Sequence, residues 1–153
     1  MTEDIYHLAY ISDARLTDPT ETLEPGLLEY RLKDILETAQ KNNKATEVTG
    51  ALLYTGDHFA QILEGPQHAV NHWFSLISKD LRHANVTPLF YESTTGREFS
   101  GWSMALCVPE DIVDPPQIPG SKPDPNSIEA DALGRSILHA LTRALRKRES
   151  NTG

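Results

Sequence analysis

Between residues 5 and 108 the spacing of apolar residues switches repeatedly between the two-residue period of a strand and the roughly 3.6-residue period of a helix, and the order of the switches leaves few folds open. "IYHLAYIS" (5–12) alternates, with Tyr6, Leu8 and Tyr10 on one face and Ile5, Ala9 and Ile11 on the other. "LLEYRLKDILETAQKNN" (27–43) is predicted helical, with a stripe of Leu28, Leu32, Ile35, Leu36 and Ala39 and an end set by the Asn pair. "VTGALLYTGDHFAQILEG" (48–65) reads as two strands about a turn at Thr55–Asp57, and "QHAVNHWFSLISKDLRH" (67–83) as a second helix burying Val70, Trp73, Phe74, Ile77 and Leu81. "VTPLFYES" (86–93) and "SGWSMALCV" (100–108) complete a β-α-β-β-α-β-β order. That order predicts an α+β, ferredoxin-like sheet with both helices on one face and the first and third strands side by side and parallel.

A Pro-rich stretch, "DPPQIPGSKPDP" (114–125), leads to "NSIEADALGRSILHALTRALRKRES" (126–150), where Ile128, Leu133, Ile137, Leu138, Leu141 and Leu145 keep helical spacing. The chain thus divides into a domain over 1–110, a linker over 111–125 and a helical tail over 126–153. Asn126 or Ser127 is placed to cap the last helix, Glu129 and Asp131 to meet the positive end of its dipole, and Arg143, Arg146, Lys147 and Arg148 its negative end. This helix is expected to cover the open face of the sheet or a partner.

Composition narrows the function classes. A net charge of −8 argues against nucleic acid or anionic membrane as a general partner, because polyanions require a basic surface. No apolar run is long enough to span a bilayer, and "MTEDIYHLAY" lacks the basic start and clean apolar stretch of a signal peptide. Cys107 is the only cysteine, which leaves no internal disulfide, and a cytoplasmic protein is expected. The glycosylation sequon at Asn85–Thr87 is then a chance match.

Gln61 lies inside the apolar run "FAQILEG" (59–65), where a polar side chain is costly unless paired. If the first and third strands are neighbours, the phenol of Tyr10 is within reach. Asn42 and Asn43 end the first helix, and Arg82 and His83 the second. Amide side chains both donate and accept, which suits the carbonyl–NH–carbonyl edge of a flavin or a pyrimidine slid between the helices. Singly, each residue has an ordinary structural explanation: a strand tyrosine packs, an Asn pair caps, an Arg-His pair serves a helix dipole. His68 and His72 have the i, i+4 spacing of a metal pair, but no third ligand accompanies them and a solvated pair is the simpler reading.

Taken together, "YIS", "ILETAQKNN", "VTGALLY", "FAQILEG", "DLRHANV" and "FSGWSMAL" resemble, in order and spacing, the BLUF family of blue-light sensors using flavin adenine dinucleotide, from about residue 5 to about residue 108. The resemblance implies FAD held noncovalently between the two helices. It assigns Tyr10 as the strand-one tyrosine, Gln61 as the switch glutamine and Asn43 as the residue holding the flavin's carbonyl edge. Asn42 flanks the ring, Arg82 and His83 match the Arg-His pair near it, and Trp102 and Met104 match the Trp-x-Met of the last strand that relays the signal. It also implies a photochemical mechanism: Tyr10 gives up an electron and then a proton through Gln61, whose amide ends rotated, tautomerised or both and shifts the absorption to the red. Only an amide can exchange a donor for an acceptor at one position.

The chain departs from the family pattern in "TDPTETLEPG" (17–26), an apparent insertion read as tolerated length. No output domain is expected after the last helix, so the resemblance is to the short members, which are not enzymes and which signal to an unidentified partner protein or by a change of assembly; a homo-oligomer is expected. The competing reading is a light-insensitive, ferredoxin-like adaptor.

Overall fold

The computed structural model describes residues 4–17, 20–22 and 24–152; Asp18, Pro19 and Leu23 of the expected insertion lie outside the described residues. Strands β1 (Ile5–Ala14), β2 (Thr49–Tyr54), β3 (His58–Pro66), β4 (His83–Thr94) and β5 (Ala105–Cys107) form one sheet in the order β4-β1-β3-β2-β5. Helices α1 (Leu27–Thr46) and α2 (Gln67–Lys79) pack on one face and α3 (Ile128–Thr152) on the other. The α+β, ferredoxin-like arrangement agrees with the sequence expectation.

One pairing does not. β1 and β3 are neighbours but antiparallel, with Tyr10 opposite Gln61. The crossover through α1 sets β2 parallel to β1, and β3, returning from the β2–β3 hairpin, slots between them in the opposite direction. Side-chain alternation is unaffected by strand direction, so the faces are as predicted. Leu8, Tyr10, Leu52, Phe59 and Leu63 meet α1 and α2; Ala9, Ile11, Leu53, Ala60 and Ile62 meet α3.

Element ends differ where side chains or left-handed backbone intervene. α1 runs past the Asn pair and stops at Glu47, whose φ of 61° places it in the left-handed region and whose N–H bonds to the Asn43 carbonyl. α2 stops at Lys79, short of the predicted His83. Asp80 is extended, and its carboxylate takes both the Arg82 backbone N–H at 2.9 Å and the Arg82 guanidinium at 2.7 Å. Leu81 is thereby turned outward, 91% exposed instead of buried. β5 is only Ala105–Cys107, so Trp102 and Met104 precede the strand instead of lying in it. Their backbone neighbours are paired elsewhere: the Met104 carbonyl accepts from the Gln40 side chain at 3.0 Å, the Ser103 carbonyl from Asn43 at 2.7 Å and the Trp102 carbonyl from the Gly50 N–H at 3.1 Å.

The segment after β5 crosses back under the sheet, and Lys122 closes on Asp13 at 2.6 Å, aided at that carboxylate by Asn85 at 2.7 Å. Ser127 caps α3 by accepting the Ala130 N–H at 3.0 Å. The helix then covers the open face through Ile137, Leu141 and Leu145. The expected dipole role of Arg143, Arg146, Lys147 and Arg148 does not hold. α3 continues to Thr152, its last turn has no basic residue, and the dipole effect dies away within that turn. Among the described residues no helix is long and apolar enough to cross a membrane.

α3 approaches β4 closely at Gly134, where an added Cβ would lie 2.6 Å from the Phe90 ring. Next to it the Arg135 guanidinium sits 4.3 Å over that ring and 2.6 Å from Glu92, which also bonds His7 at 3.0 Å. Gly134→Ala therefore forces helix and sheet apart, and the better helix propensity of alanine does not offset it. Urea unfolding should report a loss of about 1–3 kcal/mol.

Candidate functional site

Tyr10 is 1% exposed and Gln61 4%, at the centre of the sheet. The Tyr10 hydroxyl donates to Gln61 Oε1. On its other side the Gln61 amide nitrogen donates to Met104 Sδ at 3.2 Å. A thioether is a weak acceptor, and the second N–H of that nitrogen has no protein acceptor among the described residues. A buried amide is thus held firmly at its oxygen and loosely at its nitrogen.

The same side chain lines a cavity of about 170 Å³ between α1, α2 and the sheet. Ile35 and Ala39 form its α1 wall, Trp73, Leu76 and Ile77 its α2 wall, and Tyr10, Leu52 and Leu63 its floor. Asn42 and Asn43 line it from the end of α1, and Asp80, Arg82 and His83 from the turn after α2. Arg82 lies 3.6 Å from Asp34, eight residues before Asn42 on α1, so the two polar groups stand roughly 12 Å apart along the helix. The result is an apolar slot with polar groups towards both ends. It brings together all six residues singled out around the expected ligand: Tyr10, Asn42, Asn43, Gln61, Arg82 and His83.

Burial and charge set the protonation states. Burial, reinforced by the charge of Asp80, pushes the Tyr10 phenol well above its usual range. Burial lowers His83 to about 4, so its imidazole is neutral near pH 7; its Nδ1 lies 2.8 Å from the Ser12 hydroxyl. At Asp80 burial opposes ionisation, but the hydrogen bonds from Arg82 prevail and hold the carboxyl below the usual carboxylate range.

A sequence model of a family described as "BLUF: Sensors of blue-light using FAD" matches residues 5–105. The chain belongs to the BLUF family. It is 32% identical over 99 residues to the blue light- and temperature-regulated antirepressor BluF of Escherichia coli, a match spanning 65% of this chain and 22% of that protein. It is 34% identical over 104 residues to the photoactivated adenylate cyclase subunit beta of Euglena gracilis, spanning 67% of this chain and 11% of that one. The chain therefore spans about a fifth or less of the length of these curated relatives. Among solved structures, the dark-state structure of BlrB, a BLUF protein, superposes with a TM-score of 0.68 at 26% identity, covering 95% of this chain and 97% of that one. BlsA in its photo-activated state gives 0.59 at 34% identity, covering 68% and 69%.

The family cofactor is FAD, and the residues present fit its flavin ring. The slot is lined by apolar side chains between the helices, and it offers amides that can serve a carbonyl–NH–carbonyl edge with both donors and acceptors. Gln61, with one N–H spare, lines the same slot.

Trp102 and Met104 occupy different environments. Met104 is 1% exposed against Gln61, whereas Trp102 is half-buried and donates from Nε1 to Glu149 of α3 at 2.9 Å. Three supporting residues escaped the sequence reading. Gln40 holds the Met104 carbonyl. Glu64, fully buried on the face opposite Gln61, accepts the backbone N–H groups of Glu98 and Phe99 at 2.9 and 2.7 Å and the Thr49 hydroxyl at 2.8 Å. Arg97 clamps the same loop onto the Glu47 carbonyl at 2.7 Å. A charge inside "FAQILEG" was the available signal for Glu64; nothing local points to Gln40 or Arg97.

His83 gives a pH dependence of definite sign. Its folded value, about 4, lies below the ordinary histidine value of about 6.5, so on acidification the unfolded chain takes up the proton first. Its contribution is present above about pH 6.5 and is lost as pH falls towards about 4, amounting to at most about 3 kcal/mol. Urea unfolding at neutral and at mildly acidic pH should show this loss, and His83→Asn should flatten it.

Proposed function

We propose that this BLUF chain holds FAD noncovalently between α1 and α2 and reports blue light through the Tyr10–Gln61 pair to a partner protein. The observation that carries this reading is the buried hydrogen bond from Tyr10 to a glutamine amide whose nitrogen rests on a thioether and borders the slot. When bound, the cofactor supplies absorption of blue light and an electron acceptor. The remaining work falls to side chains of the chain.

Asn43, anchored through its amide nitrogen to the Ser103 carbonyl, fixes one border of the ring, and Asn42 flanks it. Arg82 and His83 close the slot after α2. Tyr10 is the oxidisable side chain in direct contact with Gln61. Its electron and proton leave together, because burial disfavours any charged form of the phenol, and the proton has a path along the existing bond to Gln61 Oε1. Tyr10 is restored when both electron and proton return to it, and the amide that hands the proton back need not resume its starting orientation, since only a weak bond to sulfur holds its other end. A turned or tautomerised amide withdraws its N–H from Met104 and presents a changed hydrogen-bonding edge to the ring.

Met104 passes that change along a short covalent path to Trp102, which contacts the end of α3 through Glu149. Arg148 on the same turn lies 5.6 Å over the Trp102 ring and bonds the Leu106 carbonyl of β5 at 3.1 Å. Dark and lit states then differ at a surface a partner can read, and that difference in affinity is the only means by which light can shift binding. The outcome is signalling by association and not by catalysis. The light-insensitive adaptor gains no support from a cavity built around buried amides.

Gln61→Leu should still purify with flavin yet lose the light-induced red shift, and Tyr10→Phe should abolish the normal photocycle. An unchanged shift in the leucine variant overturns the role of Gln61. Glu149→Ala tests the route outward. The red shift should persist, while the light-dependent change in amide hydrogen exchange over the last turns of α3 should disappear.

A further inference from the structure

The basic residues of α3 divide into two sets. Arg135 is paired with Glu92 at 2.6 Å, Arg146 with Glu98 at 3.2 Å, and Arg148 with the Leu106 carbonyl and Asp111. His139, Arg143 and Lys147 are exposed and, among the described residues, have no hydrogen-bonding or ionic partner for their side chains. They are spaced i, i+4, i+8, which aligns them in one row on the helix. The helix dipole does not account for the row, because α3 runs on to Thr152 and its influence is confined to the last turn. In a chain of net charge −8, an aligned and unneutralised basic row is out of character.

The row forms one wall of a cleft of about 250 Å³, whose other wall is the segment Asp111–Asp114 that follows β5. Val113 in that segment is 73% exposed at the cleft, while Ile112 is buried beneath it. Asp111 is committed to the Val108 N–H at 2.9 Å and to Arg148.

We infer that this cleft docks an acidic segment of a partner protein, with carboxylates along His139, Arg143 and Lys147 and one apolar side chain against Val113. Nucleic acid fits less well. The row is three side chains long and faces the Asp111–Asp114 wall, too short a basic track for a continuous phosphate backbone, whereas a short segment with few carboxylates can be held along it. The Asp111–Asp114 segment leads directly out of β5, and Arg148 ties it to the turn bearing Lys147, so the cleft adjoins the Trp102–Glu149 contact. The inference rests on the reading that the chain signals by binding, but docking itself is tested in the dark, so that a failed photocycle leaves the result intact.

The probe is a fluorescently labelled peptide of glutamate and serine with one central leucine, followed by anisotropy at low salt, beside a counterpart with glutamine for glutamate. The acidic peptide should bind in preference to its counterpart and weaken as salt rises. The Arg143→Glu, Lys147→Glu double variant should bind it about tenfold or more weakly, with unchanged far-UV circular dichroism, whereas Lys41→Glu with Lys79→Glu, equal in charge change but remote, should not. Equal binding by the α3 variant, or no preference for the acidic peptide, overturns the inference. Tighter binding of a short DNA duplex through Arg143 and Lys147 overturns it in favour of nucleic acid. Sedimentation showing self-association that the α3 variant abolishes overturns it in favour of a second copy.

Discussion

A phenol and a primary amide, both buried at the centre of a β-sheet, must satisfy each other or leave costly unpaired groups in the core. The Tyr10–Gln61 bond meets that requirement only if β1 and β3 are neighbours with residues 10 and 61 in register. The sheet order β4-β1-β3-β2-β5 supplies the adjacency, and α1 and α2, separated over that point, supply the slot. Fold and site are therefore one constraint: a core that must pair these two side chains also presents them to whatever occupies the space between the helices.

What the sequence made legible follows from what is local. Alternation and helical periodicity located every major element, and Tyr10, Asn43, Gln61 and the Arg82–His83 pair were readable as polar interruptions of apolar patterns that recur in a known family. The parallel sense assigned to β1 and β3 was wrong because side-chain alternation carries no information on strand direction; that is set by the intervening hairpin. Helix ends were misjudged where a single residue decides them, as with the left-handed Glu47 and the carboxylate of Asp80. The Trp102–Met104 segment looked like strand because apolar Trp102 and Met104 alternate with polar Ser103. Its carbonyls are instead taken by Gln40 and Asn43, some sixty residues earlier in the chain, and no local pattern announces such a partner.

The two faces of the sheet divide the labour. The face under α1 and α2 holds the amides and the slot. The opposite face holds Glu64, whose carboxylate gathers the backbone of Glu98 and Phe99, while Arg97 fastens the same loop to the end of α1. The chain entering Trp102 is thus anchored, and the chain leaving Met104 is anchored in β5. Under the proposed reading, a change of state at Gln61 would fall on the few residues between two fixed points.

α3 is mounted unevenly. Near its start α3 is seated by Gly134 on Phe90 and the Arg135–Glu92 pair, and its middle by the buried Leu141 and Leu145, whereas beyond Leu145 its contacts are polar: Arg146–Glu98, Trp102–Glu149 and those of Arg148. Under the proposed route outward, loss of the Trp102–Glu149 bond would let the last turns of α3 open, since terminal helical turns open at very small free-energy cost: a local melting transition and not the stroke of a lever.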